Sequence, residues 1–138
     1  MIITSQIQRN VATIDENSSV LDAAKQMATR FIGSIAVTSA YGIKGLFTER
    51  ELMMRVIGEG LDPARVRVGD VTNQPMVSVK PDADVERCLE LMKENRCRHL
   101  VVFDGETFIG IVSLRDMVAL LLDEKEHLIT RLKEYITS

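Results

Sequence analysis

The chain lacks most of what would let it grip a nucleic acid or cross a membrane. Aromatic residues make up 4% of its 138 positions and tryptophan is absent, too few for the platforms on which single-stranded bases stack. It has no excess of positive charge. The 17 lysines and arginines are interspersed with 20 acids for a formal net charge of −3, which argues against the basic surface of a nucleic-acid binder. No apolar run approaches the roughly 20 residues that span a bilayer. The opening MIITSQIQRN has neither the charged head nor the long apolar stretch of a secretory signal, so a cytoplasmic protein is expected. Two cysteines, Cys88 and Cys97, do not make a disulfide framework. Both read as small buried hydrophobes. The two histidines, His99 and His127, share no metal-ligand spacing with them. With neither a nucleophile–base pair nor a metal cluster, an enzyme is not expected.

What is present is a globular composition, 46% hydrophobic and 27% charged, and a sentence written twice. GLFTERE runs from Gly45 to Glu51 and GIVSLRD from Gly110 to Asp116, 65 positions further on. Each reads glycine, two apolar residues, a hydroxyl residue, a free position, arginine and a carboxylate. The same offset aligns Val20 with Val85, Met27 with Met92, Val37 with Val102 and Arg50 with Arg115, and it keeps apolar positions matched from Ile14 and Val79 to Ile57 and Leu122. A repeat of this length is one supersecondary unit that cannot bury its own apolar face alone.

Each unit predicts β-α-β-β-α. A short extended piece, VATI or MVSV, is followed by a polar helix opening, DENSS or KPDAD. Helical spacing follows through Val20, Ala23, Ala24, Met27 and Phe31, and again through Val85, Cys88, Leu89 and Met92. Two short strands come next, with turns at AYG and at Asp104–Gly105, and a second helix begins at the repeated sentence. The segment GEGLDPARVRVGDVTNQP reads as a linker with a short turn or helix in it. The expected organisation is a first repeat over 1–60, a linker over 61–75, a second repeat over 76–122 and a C-terminal helix extension over 123–138. The fold class is α+β, two repeats packed with pseudo-twofold symmetry plus a long last helix. That helix runs from Met117 to about Ile136. Its stripe of Leu121, Leu128, Leu132 and Tyr135 has nothing left in the chain after the second repeat to cover it, and its polar face is not basic enough for a membrane surface.

The repeated sentence supports two readings. Thr48 with Glu51, and Ser113 with Asp116, have the spacing of a capping box, the hydroxyl accepting from an N–H of the first turn and the acid reaching back. The same place suits a nucleoside phosphate. A strand ending into a helix leaves N–H groups and partial positive charge pointing outward, a hydroxyl there can donate to phosphate, and a carboxylate one turn on can accept both hydroxyls of a ribose. Glycine on the strand lets a ring or a backbone come close. Arginine in a helix's first turn is unfavourable to the dipole, yet it occurs twice. Met53, Met54 and Met117 read as core or dimer contacts.

Two β-α-β-β-α units, each closing on glycine–apolar–apolar–Ser/Thr–x–x–acid, resemble a pair of CBS (cystathionine β-synthase) domains over about residues 11 to 122. The linker DPARVRVGDV and the tail EKEHLITRLKEYITS look like those of small stand-alone bacterial CBS-pair proteins. The resemblance implies a regulatory module that binds an adenosyl ligand (AMP, ADP or ATP, or else NAD(H) or S-adenosylmethionine) in clefts between repeats, forms a homodimer and acts on a protein target. It implies ribose contacts from Asp116 and Glu51, phosphate contacts from Ser113 and Thr48, and adenine contacts around Val77 and Val79 or Ala12 and Ile14. Residues before the second strand, Arg98 and His99 or Gly33 and Ser34, would meet phosphate together with Arg115 or Arg50. The family's frequent proline after the leucine of the second strand is replaced by Val101, and Glu51 stands where aspartate is usual. The second motif, with Arg98, His99, Arg115 and Asp116, is the better expected site. The alternative is a ligand-free dimerisation module.

Overall fold

A computed structural model describes residues 1–73 and 76–137; the end of the expected linker, Gln74 and Pro75, lies outside the described residues, as does Ser138. It contains two three-stranded sheets, each with its own helices, and a long C-terminal helix. In chain order the elements are β1 (Thr13–Asp15), α1 (Val20–Arg30), β2 (Ser34–Ser39), β3 (Gly42–Thr48), α2 (Glu49–Glu51, continuing as a π-helix over Leu52–Ile57), β4 (Ser78–Val79), α3 (Val85–Asn95), β5 (His99–Asp104), β6 (Thr107–Ser113) and α4 (Leu114–Thr137). Each sheet has a parallel first pair and an antiparallel second pair, in the orders β1-β2-β3 and β4-β5-β6.

The repeat is legible in the details. Ser19 and Asp84 cap α1 and α3 by accepting from the N–H groups of Asp22 and Glu86, as the polar helix openings predict. A bulge interrupts β2–β3 after Val37 and β5–β6 after Val102, 65 positions apart. Gly42 and Gly105 take positive φ at the two hairpin turns, where a side chain would be strained.

The compact units do not follow the repeats. One comprises Asn10–Val77; the other joins Met1–Arg9 to Ser78–Ser138. In the first, Ile14, Val20, Ala23, Met27, Ile35, Val37, Phe47 and Val56 form a buried cluster with Val68 and Val71. Val68–Asp70 is the short turn expected in the linker, and it lies against the first repeat: the Val68 N–H donates to Ser18 and that of Gly69 to Glu16. In the second unit the N-terminal segment plays the equivalent part. The Ile3 N–H donates to Ala83, and the Val85 N–H donates to Met1, as the Val20 N–H donates to Val66. Val85, Cys88 and Met92 are buried along α3, and Ile3, Leu100, Val102 and Met117 are buried in the same unit. Burial, then the nearby Asp84 charge, pushes the Cys88 thiol up from its ordinary value, so it is kept neutral as a core side chain.

One expectation needs correction. Phe31 does not extend the buried stripe of α1. It is 96% exposed, with φ 55° in the left-handed region at the helix C-cap. Its counterpart Arg96 takes the same conformation after α3. The 3.6-residue period places Phe31 on the apolar face only if the helix continues, and the helix has already turned off. A non-glycine residue there carries a backbone cost of about 1 kcal/mol, and the exposed ring recovers little of it. Phe31→Gly is expected to raise stability by about 0.5–1 kcal/mol, read as a Tm increase of a few degrees.

The last helices of the two repeats differ in length, as expected from the long helix after Met117. α2 is short and π-wound from Leu52 and ends near Gly58, with Gly60 at positive φ and Pro63 beyond. After Gly110 the second repeat has neither glycine nor proline, and α4 continues for 24 residues. Met117 is fully buried, whereas Met53 and Met54 are exposed.

Candidate functional site

In the second unit, β6 ends at Ser113 and α4 starts at once. The Ser113 N–H donates to Asp116 Oδ2 at 2.9 Å and the Asp116 N–H donates to Ser113 Oγ at 3.1 Å, so the capping box forms. Gln8 Nε2 also donates to Asp116 Oδ2, at 2.8 Å, a contact that nothing in the local pattern announces. It fixes the carboxylate from the side of the N-terminal segment. Both bonds that the carboxylate accepts fall on Oδ2. The Ser113 hydroxyl accepts one bond and donates to none of the described residues, so its proton is available to an incoming acceptor.

The sheet register brings the other expected residues to the same end. His99 pairs with Ser113 across β5–β6, and the Leu114 N–H donates to the Arg98 carbonyl at 2.8 Å. Arg98 and Arg115 are exposed, and His99, Ser113 and Asp116 are half-buried. Val79 pairs with Val102 in the parallel edge strand; Val77 precedes that strand and both are half-buried. The structure thus gathers Arg98, His99, Ser113, Arg115 and Asp116 around one strand end.

The first unit repeats the geometry with different chemistry. Ser34 pairs with Thr48, and the Glu49 N–H donates to the Gly33 carbonyl at 3.1 Å. The Thr48 N–H donates to Glu51 Oε2 at 3.1 Å, and the Thr48 hydroxyl gives its proton to that same oxygen. Thr48, Ser34 and Glu51 are buried. Glu49 places a carboxylate oxygen 2.9 Å from where a side chain would begin at Gly33, so negative charge stands where the second unit has Arg98. Arg50 is exposed, with Nε 3.4 Å from Met54 Sδ, and Arg55 donates to the Thr72 carbonyl. Ile14 is a core residue and Ala12 packs against that core.

The motif glycines face backbone. A side chain at Gly45 would begin 2.8 Å from the Asn73 carbonyl oxygen, and one at Gly110 would strike the carbonyl of Gln8. Gln8 pairs with Ile111 through both main-chain bonds, at 2.8 and 3.0 Å. Asn73, at the matching position, donates to Leu46 and uses its side-chain oxygen to accept from the Leu46 N–H. Gln8 and Asn73 are 65 positions apart, so the repeat register contains this correspondence even though its consequence is not visible in either segment alone.

The CBS domain model matches residues 4–58 and 68–123. The chain belongs to the CBS-domain family. As a CBS pair it is a regulatory, signal-transduction type of module. It is 30% identical over 125 residues to the mitochondrial CBS domain-containing protein CBSX3 of Arabidopsis thaliana, covering 87% of this chain and 61% of that protein's length. Among solved structures it is similar to a proposed signal-transduction protein with CBS domains from Burkholderia ambifaria (33% identity, TM-score 0.79, covering 83% of this chain and 85% of that one). It is also similar to a hexameric CBS-CP12 protein from bloom-forming cyanobacteria (29% identity, TM-score 0.77, 86% and 69% covered). No helix among the described residues of this CBS pair is long and apolar enough to cross a membrane.

Proposed function

We propose that this CBS pair is a non-enzymatic cytoplasmic sensor that binds an adenine nucleotide of the AMP, ADP or ATP class at the second motif and signals as a homodimer to a protein target. The observation that carries the reading is the arrangement at the end of β6: a hydroxyl with an unspent proton, a half-buried carboxylate, and two exposed arginines at one strand end. Ribose hydroxyls take Asp116. Phosphate takes the Ser113 proton and the charge of Arg98 and Arg115, beside His99. Adenine lies against Val77 and Val79. The first motif is the weaker site, because the Thr48 hydroxyl already donates to Glu51, both residues are buried, and Glu49 repels phosphate beside Gly33.

The proposed route of the signal is α4. Its first turn is part of the site and its remote end is exposed, so a ligand that binds unequally to two positions of that helix shifts the surface offered to a partner. That the cyanobacterial relative is hexameric supports self-association of this chain. NAD(H) and S-adenosylmethionine carry the same adenosyl group and are the alternative ligands. The rival reading, a ligand-free dimerisation module, is favoured by the closed box at Thr48 and Glu51. Thermal melting with AMP, ATP, NADH and S-adenosylmethionine separates them. A bound ligand at 100-fold over its Kd adds about 2.7 kcal/mol of stability, whereas a melting temperature indifferent to all four leaves the scaffold.

A further inference from the structure

We infer that the C-terminal half of α4 is an antiparallel coiled-coil strand whose partner is the same segment of a second copy of this chain. The inference rests on the homodimer reading above and adds its orientation and register. Every described residue from Leu121 onward is exposed, leaving about 25 Å of helix standing clear at 1.5 Å per residue. Over that length Val118, Leu121, Lys125, Leu128, Leu132 and Tyr135 recur at alternating spacings of three and four, the seam of a heptad repeat. Leu122, Ile129 and Ile136 widen the seam on one flank, each seven residues from the next. The other flank carries charge: Glu124 and, seven residues on, Arg131.

Orientation follows from those flanks and from Lys125. In a parallel pair in register, Lys125 would face Lys125 of the partner subunit, and Glu124 and Arg131 would meet the isoleucine flank, leaving both charges unmatched. Turned antiparallel, Lys125 packs against Leu128 of the partner subunit, with its stem along the seam and its ammonium in water. Leu121 meets the partner's Leu132, and Val118 meets the partner's Tyr135, a small residue against a large one. Glu124 then lies beside Arg131 of the partner subunit, twice by symmetry, and the two helix dipoles oppose. On the apolar flank Leu122 lies beside Ile129 of the partner subunit. This arrangement pairs both charges of the Glu124–Arg131 flank and covers the seam from Val118 to Tyr135; Ile136 falls beside Arg115 of the partner subunit.

Charge reversal on the full-length chain tests this. Sedimentation equilibrium at low salt is expected to show the dimer Kd of Glu124→Arg and of Arg131→Glu each raised about tenfold, since two attractive pairs become two repulsive ones. The double variant, E124R with R131E, is expected to return to within about twofold of the parent. Both positions are exposed, and circular dichroism of each variant checks that the fold is intact. A dimer indifferent to the single reversals, or one the double variant does not restore, overturns the antiparallel seam while leaving the homodimer standing. A parent chain that stays monomeric throughout overturns both.

Discussion

Gly110→Ala is expected to cost about 3 kcal/mol, a fall in Tm of roughly 10 °C. A β-carbon there lands on the main-chain carbonyl of Gln8, and backbone held in a two-bond pair with Ile111 cannot move aside as a side chain would. Overpacking of this kind costs 1–3 kcal/mol, and parting Gln8 from Ile111 removes two hydrogen bonds worth about 1 kcal/mol each. Gly45→Ala meets the Asn73 carbonyl in the same way and is expected to cost about 2 kcal/mol. Gly105→Ala is the control: it has nothing within 4 Å but sits at φ +60°, so it carries only the left-handed cost of about 1 kcal/mol. Chemical denaturation of the three variants decides the matter. If Gly110→Ala is no worse than Gly105→Ala, the close approach of Gln8 does not hold this unit together. Faster hydrogen exchange at the Gln8 and Ile111 amides in Gly110→Ala is the local signature.

That glycine shows what a single sequence can and cannot say. Its type and position say that something comes close, and leave open whether a ring or a backbone does. The backbone that arrives is supplied by residues more than 100 positions away, through a pairing that leaves no local period. The strands, turns and caps were legible because each rests on residues near in sequence: Ser19 and Asp84 at helix starts, Gly105 at a two-residue turn. The packing of Met1–Arg9 in the same compact unit as the second repeat was not, although the 65-residue register does align Met1 with Val66, Ile3 with Val68 and Gln8 with Asn73. Phe31 misled because an apolar residue one turn past a stripe looks like its continuation; the polar residue at the matching position, Arg96, was the sign that neither is buried. The π-winding of α2 is likewise invisible to a 3.6-residue count, since Leu52 and Val56 satisfy both.

The two motif acids have the same spacing and, we predict, opposite uses. Asp116→Ala should abolish the stabilisation by adenine nucleotide, the full 2.7 kcal/mol or so at 100-fold over the parent's Kd. It also removes the acceptor for the Ser113 N–H, at about 1 kcal/mol, so each variant's shift must be taken from its own ligand-free melt. Asp116→Asn keeps an oxygen for that cap but loses the charge and the second acceptor that a pair of ribose hydroxyls needs. It should hold the fold and still lose the shift. Glu51→Ala should do the reverse. It strands the buried N–H and hydroxyl of Thr48, a cost of about 2–3 kcal/mol, and should leave the nucleotide shift untouched. A full shift in Asp116→Asn would remove Asp116 from the ligand, and a shift lost in a folded Glu51→Ala would place the ligand at the first motif.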